Sequence, residues 1–151
     1  MRREFDYLHR VFKHTKSSAI TTPHPIFLRI HPKEGHSYGM EKIHGASLSQ
    51  ITERPEQYPE LIEQAKNVDR KQVEADLLSF VEEMHTAGIV HCDLFSRNLM
   101  INVSGRFYVI DFGKAKTIGV SGDMEDERKK DLYTAKQALV EFFSKVDLLT
   151  N

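Results

Sequence analysis

Eight consecutive residues, His91-Cys92-Asp93-Leu94-Phe95-Ser96-Arg97-Asn98, constrain this chain more than anything else in it, because of what stands on either side. Upstream, Val73, Leu77, Phe80, Val81 and Met84 recur on one helical face and Gly88 supplies a stop, which predicts a buried helix over roughly 69 to 87. Downstream, Leu99 to Val103 and Arg106 to Ile110 read as two short strands turning at Ser104-Gly105, and the second runs into Asp111-Phe112-Gly113. A His-x-Asp pair or a bare Asp-Phe-Gly is common by chance. The ordered series of helix, stop, His-x-Asp loop, Asn five residues on, hairpin and Asp-Phe-Gly is not. Taken singly, Asp93 and Asn98 read as turn residues and Asp111 as a strand-end cap. Taken together, they place three oxygen-bearing side chains around one small hairpin.

The rest of the chain reads less sharply. Phe5, Leu8, Val11 and Phe12 predict a short amphipathic helix over residues 2 to about 14, followed by an extended connection from Thr15 to Pro25. Ile26 to Ile30 and Tyr38 to Ile43 are β-compatible runs joined by a polar turn, and Gly45 is expected to end the second. Ser47 to Lys66 is polar and irregularly helical, interrupted by Pro55 and Pro59. Beyond Asp111 the chain reads as loop to Gly122. A last helix then follows, capped by Asp123, with Glu125 and Asp126 four residues before Lys129 and Lys130. Its apolar face is Leu132, Ala135, Leu139, Phe142 and Val146.

Composition bounds the function classes. With 151 residues, 40% hydrophobic and 28% charged, one globular domain over 1–151 is expected. The net charge is −1 and no block of five or six like charges occurs, so there is no electrostatic case for nucleic acid or a membrane surface. Cys92 is the single cysteine, which excludes an internal disulfide framework, and no apolar run approaches the roughly 18 residues of a membrane span. Met1-Arg2-Arg3 leads into a mixed polar helix without a signal pattern, so a cytoplasmic setting is expected, with the nucleus as the other compartment. Of the eight histidines, six lie in the first 44 residues without the spacing or supporting ligands of a zinc site. His91, beside Ile89 and Val90, reads as a satisfied core group and receives no proton-transfer role.

The pattern from His91 to Gly113 resembles the catalytic segment of protein kinases, H-x-D-L-x-x-x-N followed by D-F-G. The resemblance extends from about Arg3 to Val146 and implies an α+β fold. Its small lobe would be reduced to one helix and two strands with the hinge (1–45), followed by a minimal helical large lobe carrying a hairpin (46–151). It implies ATP and Mg²⁺ as cofactors. Phosphoryl transfer passes through a loose transition state, so positioning and charge neutralisation dominate. By resemblance Asp93 accepts the hydrogen bond of the attacking hydroxyl, and Asn98 and Asp111 are the hard oxygen ligands of Mg²⁺. Met40-Glu41-Lys42-Ile43-His44-Gly45 is similar to the hinge, implying adenine contacts at the Glu41 carbonyl and the Ile43 amide, with Met100 as the floor. Asp131 resembles the aspartate that holds the catalytic-loop backbone, and Leu8, His91 and Phe112 fit the apolar spine. The short gap from Gly113 to Asp123 and the lack of A-P-E resemble the small atypical kinases, namely the RIO group and the kinase of the tRNA threonylcarbamoyl-modifying complex. A tRNA-modifying complex is therefore among the implied partners.

Two departures qualify the expectation. Serine/threonine kinases place Lys two residues after the catalytic Asp; here Phe95 stands there, and Arg97, at the fourth position, is the candidate to neutralise the γ-phosphate. No Gly-rich phosphate loop occurs in the 151 residues, and only three residues precede Glu4, which leaves that acid without the strand lysine expected to pair with it. The expectation is a fragment of a longer kinase, or a minimal one completed by a protein partner that finishes the small lobe. Three functions follow: a serine/threonine-type protein kinase or kinase-like ATPase acting on a protein substrate; a pseudokinase binding module; and a small-molecule phosphotransferase, whose metal motif usually lacks the Phe-Gly seen here.

Overall fold

The computed structural model describes residues 2–15, 19–119 and 124–151. Helix α1 (Arg2–Thr15) buries Tyr7, Leu8, Val11 and Thr15. Phe5 and Phe12 flank that stripe half-buried, Phe5 against Tyr38 with ring centroids 5.8 Å apart and Phe12 stacked on His24 at 4.6 Å. The expected pair of strands is present as an antiparallel hairpin, β1 (Pro25–His31) and β2 (Gly35–Met40), with Leu28 opposite Tyr38. β2 begins three residues before the expected start and stops at Met40, because the Glu41 amide leaves the ladder to donate to the His24 carbonyl at 2.8 Å.

Gly45 does not end that strand. It opens another, β3 (Gly45–Ser47), which pairs with the strand carrying Met100. The approach is so close that a Cβ at Gly45 would lie 2.1 Å from the Ile101 carbonyl oxygen, which is why a glycine stands there. The polar stretch beyond resolves into α2 (Leu48–Glu53), a 3₁₀ turn (Pro55–Gln57) and α3 (Pro59–Asn67). Ser47 caps α2 in a capping box with Gln50. Pro55 and Pro59 each stand at the start of a helical turn, where a missing N–H costs nothing, so the expected interruptions are helix starts.

The firmest expectation holds closely. α4 (Arg70–Thr86) is capped by Asp69, buries Leu77, Phe80, Val81 and Met84, and ends at Gly88 with φ +84. After β4 (Ile89–Val90) and the loop comes the hairpin of β5 (Leu99–Asn102) and β6 (Phe107–Val109), which forms one sheet in the order β3-β5-β6. The segment read as loop contains β7 (Lys116–Thr117), paired with β4. α5 (Glu125–Thr150) closes the fold, with Ala135, Leu139, Phe142 and Val146 buried as expected, joined by Ala138, Phe143 and Asp131. The Glu125–Lys129 pair forms at 2.8 Å, while Asp123, read as the cap, lies outside the described residues. One apolar core runs from Leu8 and Val11 through Phe80 and Phe112 to Phe142. Among the described residues no helix is long and apolar enough to cross a membrane.

Candidate active site

The loop between β4 and β5 is positioned from below by one carboxylate. Asp131, in the second turn of α5 and 2% exposed, accepts from the amides of His91 at 2.8 Å (Oδ2) and Cys92 at 2.9 Å (Oδ1). His85 Nε2, at the end of α4, lies 3.0 Å from the same Oδ2. A buried carboxylate satisfied on both oxygens is stable, and it supports Cys92 in a left-handed conformation (φ +66) that a side-chain-bearing residue adopts only at a cost.

His91 links the loop to the Asp-Phe-Gly segment. Its Nδ1 accepts from the Asp93 amide at 3.2 Å, so the proton is on Nε2, which donates to the Ile110 carbonyl at 2.9 Å. The ring meets Phe112 edge-on at 4.9 Å. Burial pushes its pKa below the usual histidine value against the pull of the Ile110 carbonyl and the nearby carboxylates, so it serves as a neutral strut.

Asp93 is buried and heavily bonded. Asn98 Nδ2 donates to its Oδ2 at 2.9 Å and to its carbonyl at 2.8 Å. Arg97 is hydrogen-bonded and ion-paired to Oδ1, with its guanidinium 4.8 Å above the Phe95 ring, and Lys114 Nζ stands 3.8 Å from the same oxygen. Arg97, expected at a γ-phosphate, is thus the fixed partner of Asp93. Asn98 is held by a 3₁₀ turn (Ser96–Asn98), and its carbonyl accepts from the Ile110 amide at 3.0 Å, which ties it to the residue before Asp111. Asp111 is exposed, has φ +61, and spends Oδ1 on the Gly113 amide at 3.0 Å. Since the Asn98 amide nitrogen is turned to Asp93, the hard oxygens left for a cation are Asn98 Oδ1 and Asp111 Oδ2, a donor set that suits Mg²⁺.

The nucleotide-side residues are less tightly joined. Glu41 is pinned on both sides of His24, its amide donating to the carbonyl at 2.8 Å and its Oε2 accepting from the amide at 3.0 Å. Two residues on, Ile43 is half-buried in the stretch leading to β3, and Met100 sits on β5 opposite Ser47 and Tyr108, half-buried between the core residues Leu99 and Ile101. A cavity of about 280 Å³ between α1, β2 and the Asp-Phe-Gly segment is lined by Glu4, Leu8, Tyr38, Met40, Asp111 and Phe112. Met100 is not in its wall. Glu4 is not isolated: it shares the cavity wall with Tyr38, and burial, followed by the influence of Glu4 and then the charge of Asp111, pushes the Tyr38 pKa far up.

Of the residues singled out from the sequence, Asp93, Arg97 and Asn98 are in direct contact and Asp111 follows the residue whose amide bonds the Asn98 carbonyl, while three contributors were not singled out. Lys114 carried only its place directly after Asp-Phe-Gly, which does not by itself point to Asp93. Tyr38 and His85 carried none, since each acts across an interface between distant segments.

The protein kinase domain model matches residues 3–148 of the chain. Cyclin-dependent kinase 11.2 of Caenorhabditis elegans is 39% identical over 64 residues, 42% of this chain and 10% of that protein. Serine/threonine-protein kinase PKH3 of Eremothecium gossypii is 27% identical over 104 residues, 69% of this chain and 13% of that protein. Mitogen-activated protein kinase kinase kinase 17 of Arabidopsis thaliana is 42% identical over 43 residues, 28% of this chain and 12% of that protein. The chain thus spans about a tenth of the length of these relatives.

Proposed function

Because the chain belongs to the protein kinase domain family, we propose that it is the catalytic part of an ATP-dependent, Mg²⁺-dependent phosphotransferase that acts on serine or threonine hydroxyls of a protein substrate. One observation supports this reading: the Asn98 side-chain amide donates to the Asp93 carboxylate while the Asn98 backbone carbonyl accepts from the amide of Ile110, the residue before Asp111. Bound there through Asn98 and Asp111, Mg²⁺ would neutralise the nucleotide phosphates. The chain's own residues do the rest. Asp93 receives the acceptor hydroxyl, Arg97 fixes the Asp93 carboxylate, and Asp131 with His91 keeps the loop in place. The Glu41 carbonyl and Ile43 amide are the adenine contacts and Met100 the floor of that subsite. The serine/threonine type follows the relatives named above. Kinship to the small atypical kinases rests on the short gap from Gly113 to Asp123, the lack of A-P-E, and the Met40-Glu41 and Asp131-Leu132-Tyr133 motifs of the sequence.

A thermal-shift titration with ATP tests it. Stabilisation should grow with ligand as mass action requires, in Mg²⁺ and not in chelator. Asp111→Ala should abolish the Mg²⁺-dependent shift, whereas Asp93→Ala should keep the shift and lose turnover, because that group positions the acceptor and does not hold the nucleotide. Equal shifts in Mg²⁺ and chelator would sink the metal assignment.

The second reading, a kinase-like binding module, is favoured by the hairpin, where Ile26 is 63% and Ile30 56% exposed. A protein partner laid along β1–β2 would cover both and supply the Gly-rich loop that these 151 residues lack. In that reading ATP gives no shift under any condition, and the hairpin is the functional surface.

A further inference from the structure

We propose that Lys114, and not Arg97, is the cation that meets the phosphoryl group in flight, an assignment that rests on the phosphotransferase reading above. Both cations face the same oxygen, Asp93 Oδ1, but they are held differently. Arg97 bonds that oxygen directly and is stacked on Phe95 at 4.8 Å, two contacts that immobilise a planar guanidinium. Lys114 Nζ is at 3.8 Å, beyond hydrogen-bond length, on a side chain 68% exposed. It belongs to the turn that starts at Asp111, three residues after the proposed metal-site carboxylate, and its ammonium faces the proposed base. It also lines a cavity of about 610 Å³ with Lys116, Lys130 and the acidic Asp126, Glu127 and Asp131, and among the described residues only Asp93 stands within ion-pair distance of its ammonium.

The direction of charge movement favours the transfer of this lysine. In the step, the acceptor oxygen bonds to the γ-phosphorus while the bond from that phosphorus to the β,γ-bridging oxygen breaks. The hydroxyl proton passes to the Asp93 carboxylate, and the nucleoside diphosphate leaves with the electron pair. Asp93 therefore loses its charge just as negative charge is spread over the transferring group. A loosely held ammonium next to Asp93 follows the charge, whereas a guanidinium fixed by stacking does not. Phe95, at the position where serine/threonine kinases place lysine, cannot supply the cation, and Lys114 brings one to Asp93 from the segment after Asp-Phe-Gly.

The test uses the full 151-residue chain and a mimic of the phosphoryl in flight, aluminium fluoride added to Mg·ADP, with affinities read by calorimetry. Fluoride complexation should tighten ADP binding in the starting chain. Lys114→Ala should leave ADP affinity unchanged and reduce the added affinity at least tenfold, toward the hundredfold that one lost charge-stabilising donor costs. Lys114→Arg should recover most of it, and Lys116→Ala, a neighbouring exposed cation, should keep it all. A Lys114→Ala chain with the full increment overturns the assignment, as does loss of the increment in Arg97→Ala with Lys114→Ala intact. An increment absent from the starting chain, with ADP still bound, also overturns it and leaves the nucleotide-binding reading standing. A chain that binds no nucleotide in Mg²⁺ overturns the phosphotransferase reading itself, and this inference with it.

Discussion

The β1–β2 hairpin and the body built from α2 to α5 are made of similar residues and end up in opposite states. In the body, Phe80 and Phe142 are buried, and His91, Asp93, Arg97 and Asn98 of the catalytic loop all have partners. In the hairpin, Ile26, Phe27, Ile30 and Met40 are all exposed, although the strands pair in register from Phe27 to His31, with an irregularity at Ile26. A two-stranded unit satisfies its backbone without burying its side chains, because burial needs a second layer and α1 covers only part of the hairpin, with Phe5 against Tyr38. The difference teaches where this chain keeps its precision. Groups that would handle the acceptor and the metal stand on the finished body, and groups that would hold adenine stand at the junction with the unfinished hairpin.

The sharpest way to break that contrast is through Asp131. Its removal leaves two loop amides and His85 without their shared acceptor inside the core, so Asp131→Ala should cost about 3–5 kcal/mol in urea unfolding. A loss below about 1 kcal/mol would mean that the loop is held by something else. Next come two glycines with similar crowding and different neighbours. A Cβ at Gly45 meets the Ile101 backbone oxygen at 2.1 Å, which cannot yield without parting β3 from β5, so Gly45→Ala should cost about 3 kcal/mol. A Cβ at Gly39 meets the Phe27 ring at 2.4 Å, and that half-exposed ring can turn aside, so Gly39→Ala should cost less than about 1 kcal/mol. Equal losses at the two sites would erase the distinction between body and hairpin.

Acid should act on the body. His91 has its pKa lowered from 6.5 by burial, so below pH 6.5 the unfolded chain takes up a proton that the folded chain refuses. Stability therefore falls as pH falls through that window, by up to about 1.4 kcal/mol per pH unit from this group, until the folded-state pKa is reached. Urea midpoints measured between pH 7 and 5.5 check the sign, and a rise on acidification contradicts it. The smallest effect belongs to the hairpin: Ile30, 56% exposed, should tolerate Lys within about 0.5 kcal/mol in the same assay. A large loss there would show that the hairpin face is covered after all.

Much of this was legible in the sequence wherever the controlling physics is local. The α4 face and its glycine stop, the β5–β6 turn and the apolar stripe of α5 are periodicities and backbone preferences that a few neighbouring residues decide. The order His-x-Asp, Asn, Asp-Phe-Gly was legible too, because the short hairpin returns the chain to the Asn98 carbonyl at Ile110, one residue before Asp111. Reading failed first where a strand has its partner far along the chain. Gly45–Ser47 is too short to show a period, and it is a strand because β5 lies beside it; β4 and β7, at two residues each, exist only as a pair.

Side-chain partnerships are the other part that only the tertiary structure decided. The chain has 21 lysines and arginines, and nothing in their spacing says that Lys114 stands beside Asp93 while Arg97 is spent on the same oxygen. Tyr38 shares a cavity wall with Glu4 from a strand that begins 20 residues beyond the end of α1, and His85 meets Asp131 across 46 residues. Propensity and periodicity act over one or two turns of chain, so the sequence by itself determined which elements form and in what order. Charge and hydrogen bonding act through space over a few ångströms, so which groups face one another waited until those elements were packed.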